Sequence, residues 1–243
     1  MKAVILAAGY ATRLYPLTKD RPKALLKVGG KTILEHILLK LGKVKEVDQV
    51  YIVTNQKFYN HFKEWTGSYN YGKDIKVIND KTTSNEDRLG AIVDLYYVIE
   101  QEEINDDLIV MAGDNLFDFE LSDFVAFQQG LKTDCICYHQ VDDIAELKRT
   151  GVIEVDKNNK VISFEEKPAE PKSTLAVPPF YIYQKETLSL IKEYLEEGNN
   201  PDAPGNFIPW LIVKKDVYTF QFQGDRYDIG TVDSYEKVQA IFE

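Results

Sequence analysis

Lys2-Ala3-Val4-Ile5-Leu6-Ala7-Ala8-Gly9-Tyr10-Ala11-Thr12-Arg13 opens the chain and decides its fold. The first seven residues are almost uniformly apolar, as a parallel strand buried on both faces should be. Small residues follow, and they let a backbone turn sharply and bring N–H groups close to an anion. Arg13 can pair bidentately with phosphate oxygens. Lys23, in Arg21-Pro22-Lys23-Ala24-Leu25, adds a second cation from the far side of the loop. The loop has neither the Gly-Lys-Ser/Thr ending of a Walker loop nor the Gly-x-Gly-x-x-Gly of a dinucleotide fingerprint. A plain strand-loop-helix connection with surface cations is the competing interpretation of this stretch taken alone.

Outward from that strand, apolar β-rich runs alternate with helical periodicity. Strands are expected at 2–8, 49–54, 75–78 and 108–112, and helices at 32–41, 58–65 and 89–100. This βαβα order predicts an α/β fold, a Rossmann-like three-layer α/β/α sandwich on a mostly parallel mixed sheet. Beyond it, 152–155 and 161–164 flank a hairpin turn at Asp156–Lys160. A strand over 175–183 is interrupted by Pro178-Pro179, helices follow at 185–197 and 206–213, a strand at 217–222 and a closing helix at 232–242. No flexible linker, repeat or low-complexity tract divides the chain. A single domain, 1–243, is expected, with about 1–130 serving a nucleotide and 131–243 an acceptor.

The 243 residues are ample for one large core, and 44% hydrophobic with 28% charged residues is ordinary for a globular protein. The net charge of −10 argues against nucleic acid or an anionic membrane as partner, since both demand a basic surface. It does not exclude a small phosphorylated substrate, because global charge is screened within about 8 Å and local cations dominate. No apolar run nears the roughly 20 residues of a membrane span, and the opening residues read better as a strand than as a signal peptide. Cys135 and Cys137 lie on one face of a strand-like segment and make poor disulfide partners, and His139 alone completes no zinc site. Reduced cysteines and a cytoplasmic location are expected. Whether copies of the chain form a homo-oligomer is left open.

Three further motifs carry chemistry. Val110-Met111-Ala112-Gly113-Asp114-Asn115 ends an apolar strand in Gly-Asp, at the sheet edge where open α/β folds bind ligands. Asp114 there can hold Mg²⁺, which takes one or two carboxylates plus phosphate oxygens. Equally it can cap the next helix. Ser163-Phe164-Glu165-Glu166-Lys167-Pro168 delivers an acid and a base into a loop: Glu166 can accept from sugar hydroxyls and Lys167 can hold a phosphate monoester. A solvated charge run is the alternative. Asp225-Arg226-Tyr227-Asp228-Ile229-Gly230-Thr231 places Asp228 before the final helix, as a second metal ligand or a helix-start Asp.

Together and in this order, the motifs make the chain resemble the sugar-1-phosphate nucleotidylyltransferases, the family of glucose-1-phosphate thymidylyl- and uridylyltransferases, over essentially its whole length. The resemblance implies the Rossmann-like sandwich already expected from the pattern. It implies a nucleotide site of Leu6, Ala8, Gly9, Arg13, Lys23, Leu89 and Gly90, and a sugar-phosphate site of Gly151, Glu166 and Lys167. It also implies Mg²⁺ on Asp114 and Asp228, and catalytic roles for Arg13, Lys23, Asp114 and Lys167. The reaction implied joins a nucleoside triphosphate to a sugar-1-phosphate by in-line displacement of pyrophosphate. The acceptor phosphate is already anionic, so no general base is required. This suits a chain whose three histidines, His36, His61 and His139, lie outside every motif.

Departures from the family pattern qualify these expectations. Ala11 stands where a second glycine is usual, and its Cβ disfavours positive φ, so a different loop curvature is expected. The segment Leu89-Gly90-Ala91 lacks the glutamine of thymidylyl enzymes and is closer to uridylyl and guanylyl relatives. Val177-Pro178-Pro179-Phe180 replaces a segment that carries a sugar-contacting glycine, and proline has no N–H to donate. Phosphocholine or an inositol phosphate is therefore a rival acceptor. A non-catalytic nucleotide-sugar-binding regulatory subunit is a rival of another class. Such relatives lose a metal carboxylate or the loop arginine, and this chain keeps both. A glycosyltransferase is disfavoured by the lack of an Asp-x-Asp motif at a strand end. The chain ends soon after the closing helix, so the β-helix domain of some relatives is not expected.

Overall fold

A computed structural model describes residues 1–242. In chain order the strands are β1 (Lys2–Leu6), β2 (Lys27–Val28), β3 (Lys31–Thr32), β4 (Gln49–Thr54), β5 (Asp74–Asn79), β6 (Leu108–Ala112), β7 (Asn115–Phe117), β8 (Asp134–Gln140), β9 (Gly151–Val155), β10 (Val161–Glu166), β11 (Leu175–Val177), β12 (Phe180–Tyr183), β13 (Val217–Gln221) and β14 (Arg226–Asp228). The α-helices are α1 (Ile33–Gly42), α2 (Tyr59–Ser68), α3 (Ala91–Gln101), α4 (Leu121–Leu131), α5 (Ile144–Leu147), α6 (Lys185–Glu196), α7 (Phe207–Lys214) and α8 (Val232–Phe242). The chain folds as two compact units interleaved in sequence, 1–89 with 112–122 and 224–243, and 90–111 with 123–223. The sequence pattern predicts one domain with functional parts at about 1–130 and 131–243, and these units follow a different, interleaved division.

In the first unit β1 pairs parallel with β4, and β4 parallel with β5. Ala3, Val4 and Ile5 are fully buried, as the apolar run requires of a central strand. Helix α1 begins in a capping box: Thr32 Oγ1 accepts from Glu35 N at 3.1 Å, and Glu35 Oε2 accepts from Thr32 N at 3.4 Å. Its buried face is Ile33, Leu34, Ile37, Leu38 and Leu41, the spacing of an amphipathic helix. The short strands β7 and β14 form an antiparallel ribbon. The closing helix α8 is tied to the β2–β3 hairpin by Tyr235, whose hydroxyl donates to Lys27 O at 2.7 Å.

The second unit is mixed. Strand β8 pairs antiparallel with β12 and β11 and parallel with β13, β11 pairs with β9, and β9 with β10. Pro178 and Pro179 split the run read as one strand into β11 and β12, because proline donates no ladder hydrogen bond. The α/β class with a mixed sheet and helices about it is thus the one read from the alternation. Both cysteines are buried in β8, and neither forms a disulfide among the described residues. The histidines serve packing: His36 Nε2 lies 2.9 Å from Val28 O, His61 meets Phe58 edge-on, and His139 stacks on Phe222. No helix among the described residues is long and apolar enough to cross a membrane.

Candidate functional site

The loop after β1 is held from several sides. Ala7 N donates to Val53 O at 2.9 Å, and the fully buried Asn55 donates from Nδ2 to Ala8 O at 2.8 Å. Asn55 Oδ1 in turn accepts from Phe58 N, so one side chain both clamps the loop and shapes the turn that leads into α2. Sequence reasoning missed Asn55, whose partner lies 47 residues away. Leu14, almost fully buried, anchors the short 3₁₀ turn Thr12–Leu14, a burial of about 2 kcal/mol.

Ala11 adopts the positive φ that its Cβ disfavours: its backbone is left-handed, φ 49° and ψ 42°. That conformation costs roughly 1–2 kcal/mol for an L-residue. Its carbonyl accepts from Thr18 Oγ1 at 2.7 Å and from Leu14 N at 3.0 Å, and net hydrogen bonds of about 1 kcal/mol each offset that strain. Gly9 is exposed, has no positive φ, and a Cβ there would meet nothing within 4 Å. The fold itself therefore does not call for glycine at position 9, whereas close approach of a ligand would. Arg13 is exposed in the 3₁₀ turn, and no hydrogen bond or ion pair engages its guanidinium among the described residues.

Lys23 and Asp114 are brought together, 2.7 Å from Nζ to Oδ2, with 11% and 38% of their side chains exposed. Gly113 makes this register: its N–H donates to Leu6 O at 2.9 Å, and a Cβ would sit 3.1 Å from that oxygen. Burial pushes the Asp114 carboxyl up, but the Lys23 ammonium and hydrogen bonds from Lys23 and Asn115 outweigh it and hold it below the usual carboxylate range. Asp114 starts no helix, since β7 follows it and α4 begins only at Leu121. Asp228 likewise caps nothing: it ends β14, and Thr231 Oγ1 accepts from Ser234 N at the start of α8. In the β7–β14 ribbon Asp228 lies opposite Asn115, and Ile229 N points to Asp114 O at 3.4 Å. Among the described residues no cluster of three or more His, Cys, Asp or Glu could hold a metal. Two carboxylates are what Mg²⁺ takes when phosphate oxygens fill the remaining positions. Asp114 uses each oxygen once, toward Lys23 and Asn115, and so retains lone pairs for a cation.

The loop 80–89 meets the loop after β1 through Thr82, whose Oγ1 accepts from the Tyr10 hydroxyl at 3.4 Å. Asp87 accepts from the backbone N–H groups of Thr83 and Ser84 at 3.0 and 2.7 Å, and from both hydroxyls. The backbone donors hold its carboxyl down at about 2. A group whose folded pKa is depressed supports the fold above its unfolded pKa and loses that support as pH falls through the folded value. The loop is therefore expected to keep its amide shifts at Thr83 and Ser84 down to about pH 4 and to lose them toward about pH 2. Two-dimensional NMR across that range checks this, and the shifts should be lost at every pH in Asp87→Ala.

Leu89 closes the first unit's main segment and Gly90 opens the second. Gly90 has φ +94°, and a Cβ would sit 2.7 Å from Pro201 O. The first N–H groups of α3 are taken by Asp202 O and Pro201 O, so this glycine is required by the fold.

In the second unit Glu166 lies opposite Gly151 in the β9–β10 ladder. A Cβ on Gly151 would lie 2.5 Å from Phe164 Cζ, and one on Gly205 would lie 2.1 Å from Glu166 Oε2. Glycines on either side therefore leave room for the Phe164 ring and the Glu166 carboxylate. Gly205 was not singled out in the sequence. Lys167 holds φ +50°, unusual for a non-glycine, with its N–H on Thr150 O at 3.1 Å. Its side chain is 58% exposed and its Nζ lies 3.7 Å from Glu166 Oε1. Such strain clusters where a backbone must aim a functional group.

The bifunctional protein GlmU of Methanococcus aeolicus is 31% identical over 233 residues, 95% of this chain and 51% of that protein. The glucose-1-phosphate adenylyltransferase of Geobacter metallireducens is 30% identical over 96% of this chain and 63% of its own length. The chain thus spans about half to two thirds of these curated relatives. A Bacillus anthracis structure that carries the name of a glucose-1-phosphate thymidylyltransferase, in complex with a sucrose, superposes with a TM-score of 0.86 at 27% identity. It covers 100% of this chain and 95% of its own. The family model described as nucleotidyl transferase matches residues 2–243, and the chain belongs to that family.

Proposed function

We propose that the chain transfers a nucleotidyl group from a nucleoside triphosphate, UTP or dTTP favoured, to the phosphate of a sugar-1-phosphate, glucose-1-phosphate favoured, releasing pyrophosphate. The observation that carries this reading is the half-buried Asp114 just past the end of β6, paired with Lys23, with Asp228 opposite the next residue, Asn115, in the β7–β14 ribbon. The names of the relatives span adenylyl and thymidylyl transfer to glucose-1-phosphate, which supports the reaction class more closely than the base.

In this reading a phosphate oxygen of the sugar-1-phosphate attacks the α-phosphorus in line. Catalysis rests on positioning and on neutralising charge. Mg²⁺, held by Asp114 and Asp228, would supply the main neutralisation of the phosphate oxygens. Arg13 offsets charge on the departing pyrophosphate with a guanidinium that the fold leaves unengaged. Lys23 keeps Asp114 ionised. Lys167 grips the acceptor phosphate and Glu166 accepts from its sugar hydroxyls. Leu6, Ala8, Gly9 and Leu89 line the nucleotide.

Gly205→Ala is expected to push the Glu166 carboxylate from its place and to raise KM for the sugar phosphate about tenfold, with KM for the triphosphate nearly unchanged. That is the loss of about one charge-assisted hydrogen bond. Initial-rate kinetics with each substrate varied in turn checks it. The function as a whole is tested by a matrix of nucleoside triphosphates against sugar-1-phosphates, phosphocholine and inositol phosphates, with Mg²⁺, scored by pyrophosphate release. Release with a sugar-1-phosphate supports the reading; release only with another phosphomonoester replaces the acceptor; none with any pair rejects transfer.

A further inference from the structure

Arg226 lies in the Asp225–Thr231 motif but has no role in the proposed function, and its guanidinium is linked to Asp114 through Asn115. In the β7–β14 ribbon Arg226 lies opposite Phe117, and Asp228 opposite Asn115. Alternate residues of a strand share a face, and so do directly opposed residues of an antiparallel pair. Asn115, Arg226 and Asp228 therefore stand on one face. Arg226 Nε donates to Asn115 Oδ1 at 2.6 Å, Asn115 Nδ2 donates to Asp114 Oδ1 at 2.6 Å, and Lys23 Nζ donates to Asp114 Oδ2 at 2.7 Å. Asn115 itself is buried.

The chemistry of this chain has one direction. A guanidinium only donates and an ionised carboxylate only accepts. The amide between them must present its oxygen to Arg226 and its nitrogen to Asp114. Without Arg226 the buried amide oxygen loses its donor, and Asn115 must turn to satisfy it elsewhere, which loosens its hold on Asp114. The half-buried guanidinium has no ion pair among the described residues, so its recorded polar partner is a neutral amide. This differs from the usual fate of a surface arginine, which meets a carboxylate.

We propose that Arg226 is a positioning residue that acts through Asn115 to hold the Asp114 carboxylate in the orientation that receives a divalent cation. The proposal rests on the reading of Asp114 and Asp228 as metal ligands. Arg226 does not touch the cation. It sets the hydrogen bond behind one ligand, the kind of outer contact whose loss weakens metal affinity by about 10–100-fold.

Mn²⁺ alone, titrated into the purified chain and followed by the EPR signal of the free ion, tests this without turnover. Arg226→Ala should weaken Mn²⁺ binding by about tenfold or more. Arg226→Lys should recover most of that loss, because a single N–H reaches Asn115 and no bidentate contact has to be replaced. Asn115→Ala should cost about as much as Arg226→Ala, and the double variant no more than either, since both remove one connection. If Arg226→Ala does not fold, Arg226→Met keeps the bulk of the stem and carries the same expectation. Binding in Arg226→Ala within about twofold of the wild type, or losses that multiply in the double variant, would overturn the proposal while leaving the metal reading standing. A wild-type chain that binds no Mn²⁺ would remove the metal reading itself.

Discussion

Asp114→Asn is expected to lower turnover by two or more orders of magnitude while the chain still folds cooperatively. The substitution keeps the size of the side chain and an oxygen that can accept from Lys23. It removes the negative charge that a divalent cation needs, and the loss of a partner for transition-state charge typically costs 10²–10³-fold. A structural interpretation of Asp114 predicts something else. If the carboxylate served only to satisfy Lys23, which is nearly buried, the variant would lose thermal stability and its residual rate would follow the folded fraction. Measuring kcat and the melting midpoint on the same preparation separates the two. Turnover near the wild-type value would remove Asp114 from the mechanism.

Arg13→Ala is expected to lower turnover by a comparable factor, with the melting midpoint nearly unchanged. Arg13 is exposed, and no contact in the described fold depends on its guanidinium, so its removal should move stability by no more than about 0.5 kcal/mol. A large kinetic effect without a thermal one is what a residue kept for substrate should show. Pyrophosphate release at a near-normal rate would leave the loop arginine a surface cation.

The parts of the site that were legible in the sequence are those carried by local pattern. The apolar run of β1, its small-residue exit and the Gly-Asp at the end of β6 each announce themselves within a few residues. Asp114 and Lys23 could be proposed separately, and the fold brings them to 2.7 Å. The β7–β14 ribbon was not legible. Each strand has three residues, too few for a period of two to declare itself, and the partners lie about a hundred positions apart. Without the ribbon, Asp228 could equally be read as the start of α8, and Arg226 offered no role. Asn55 and Gly205 were missed for a related reason. What makes them matter is the distant atom each meets, Ala8 O in one case and the Glu166 carboxylate in the other. Ala11 shows the opposite error: propensity alone argued against a left-handed residue, and hydrogen bonds to its carbonyl from Thr18 and Leu14 within the loop offset the strain. Helix α4 was legible, since Leu121, Phe124 and Val125 have helical spacing and are buried, but the sequence reading did not include it.

The most direct measurement is ³¹P NMR of the chain with Mg²⁺, glucose-1-phosphate and UTP or dTTP. The account predicts that inorganic pyrophosphate and a new pyrophosphate diester grow in equal amounts as the sugar-phosphate signal falls, and that EDTA stops both. Pyrophosphate without the diester, orthophosphate in its place, or unchanged spectra in the presence of every triphosphate and sugar-1-phosphate would contradict it.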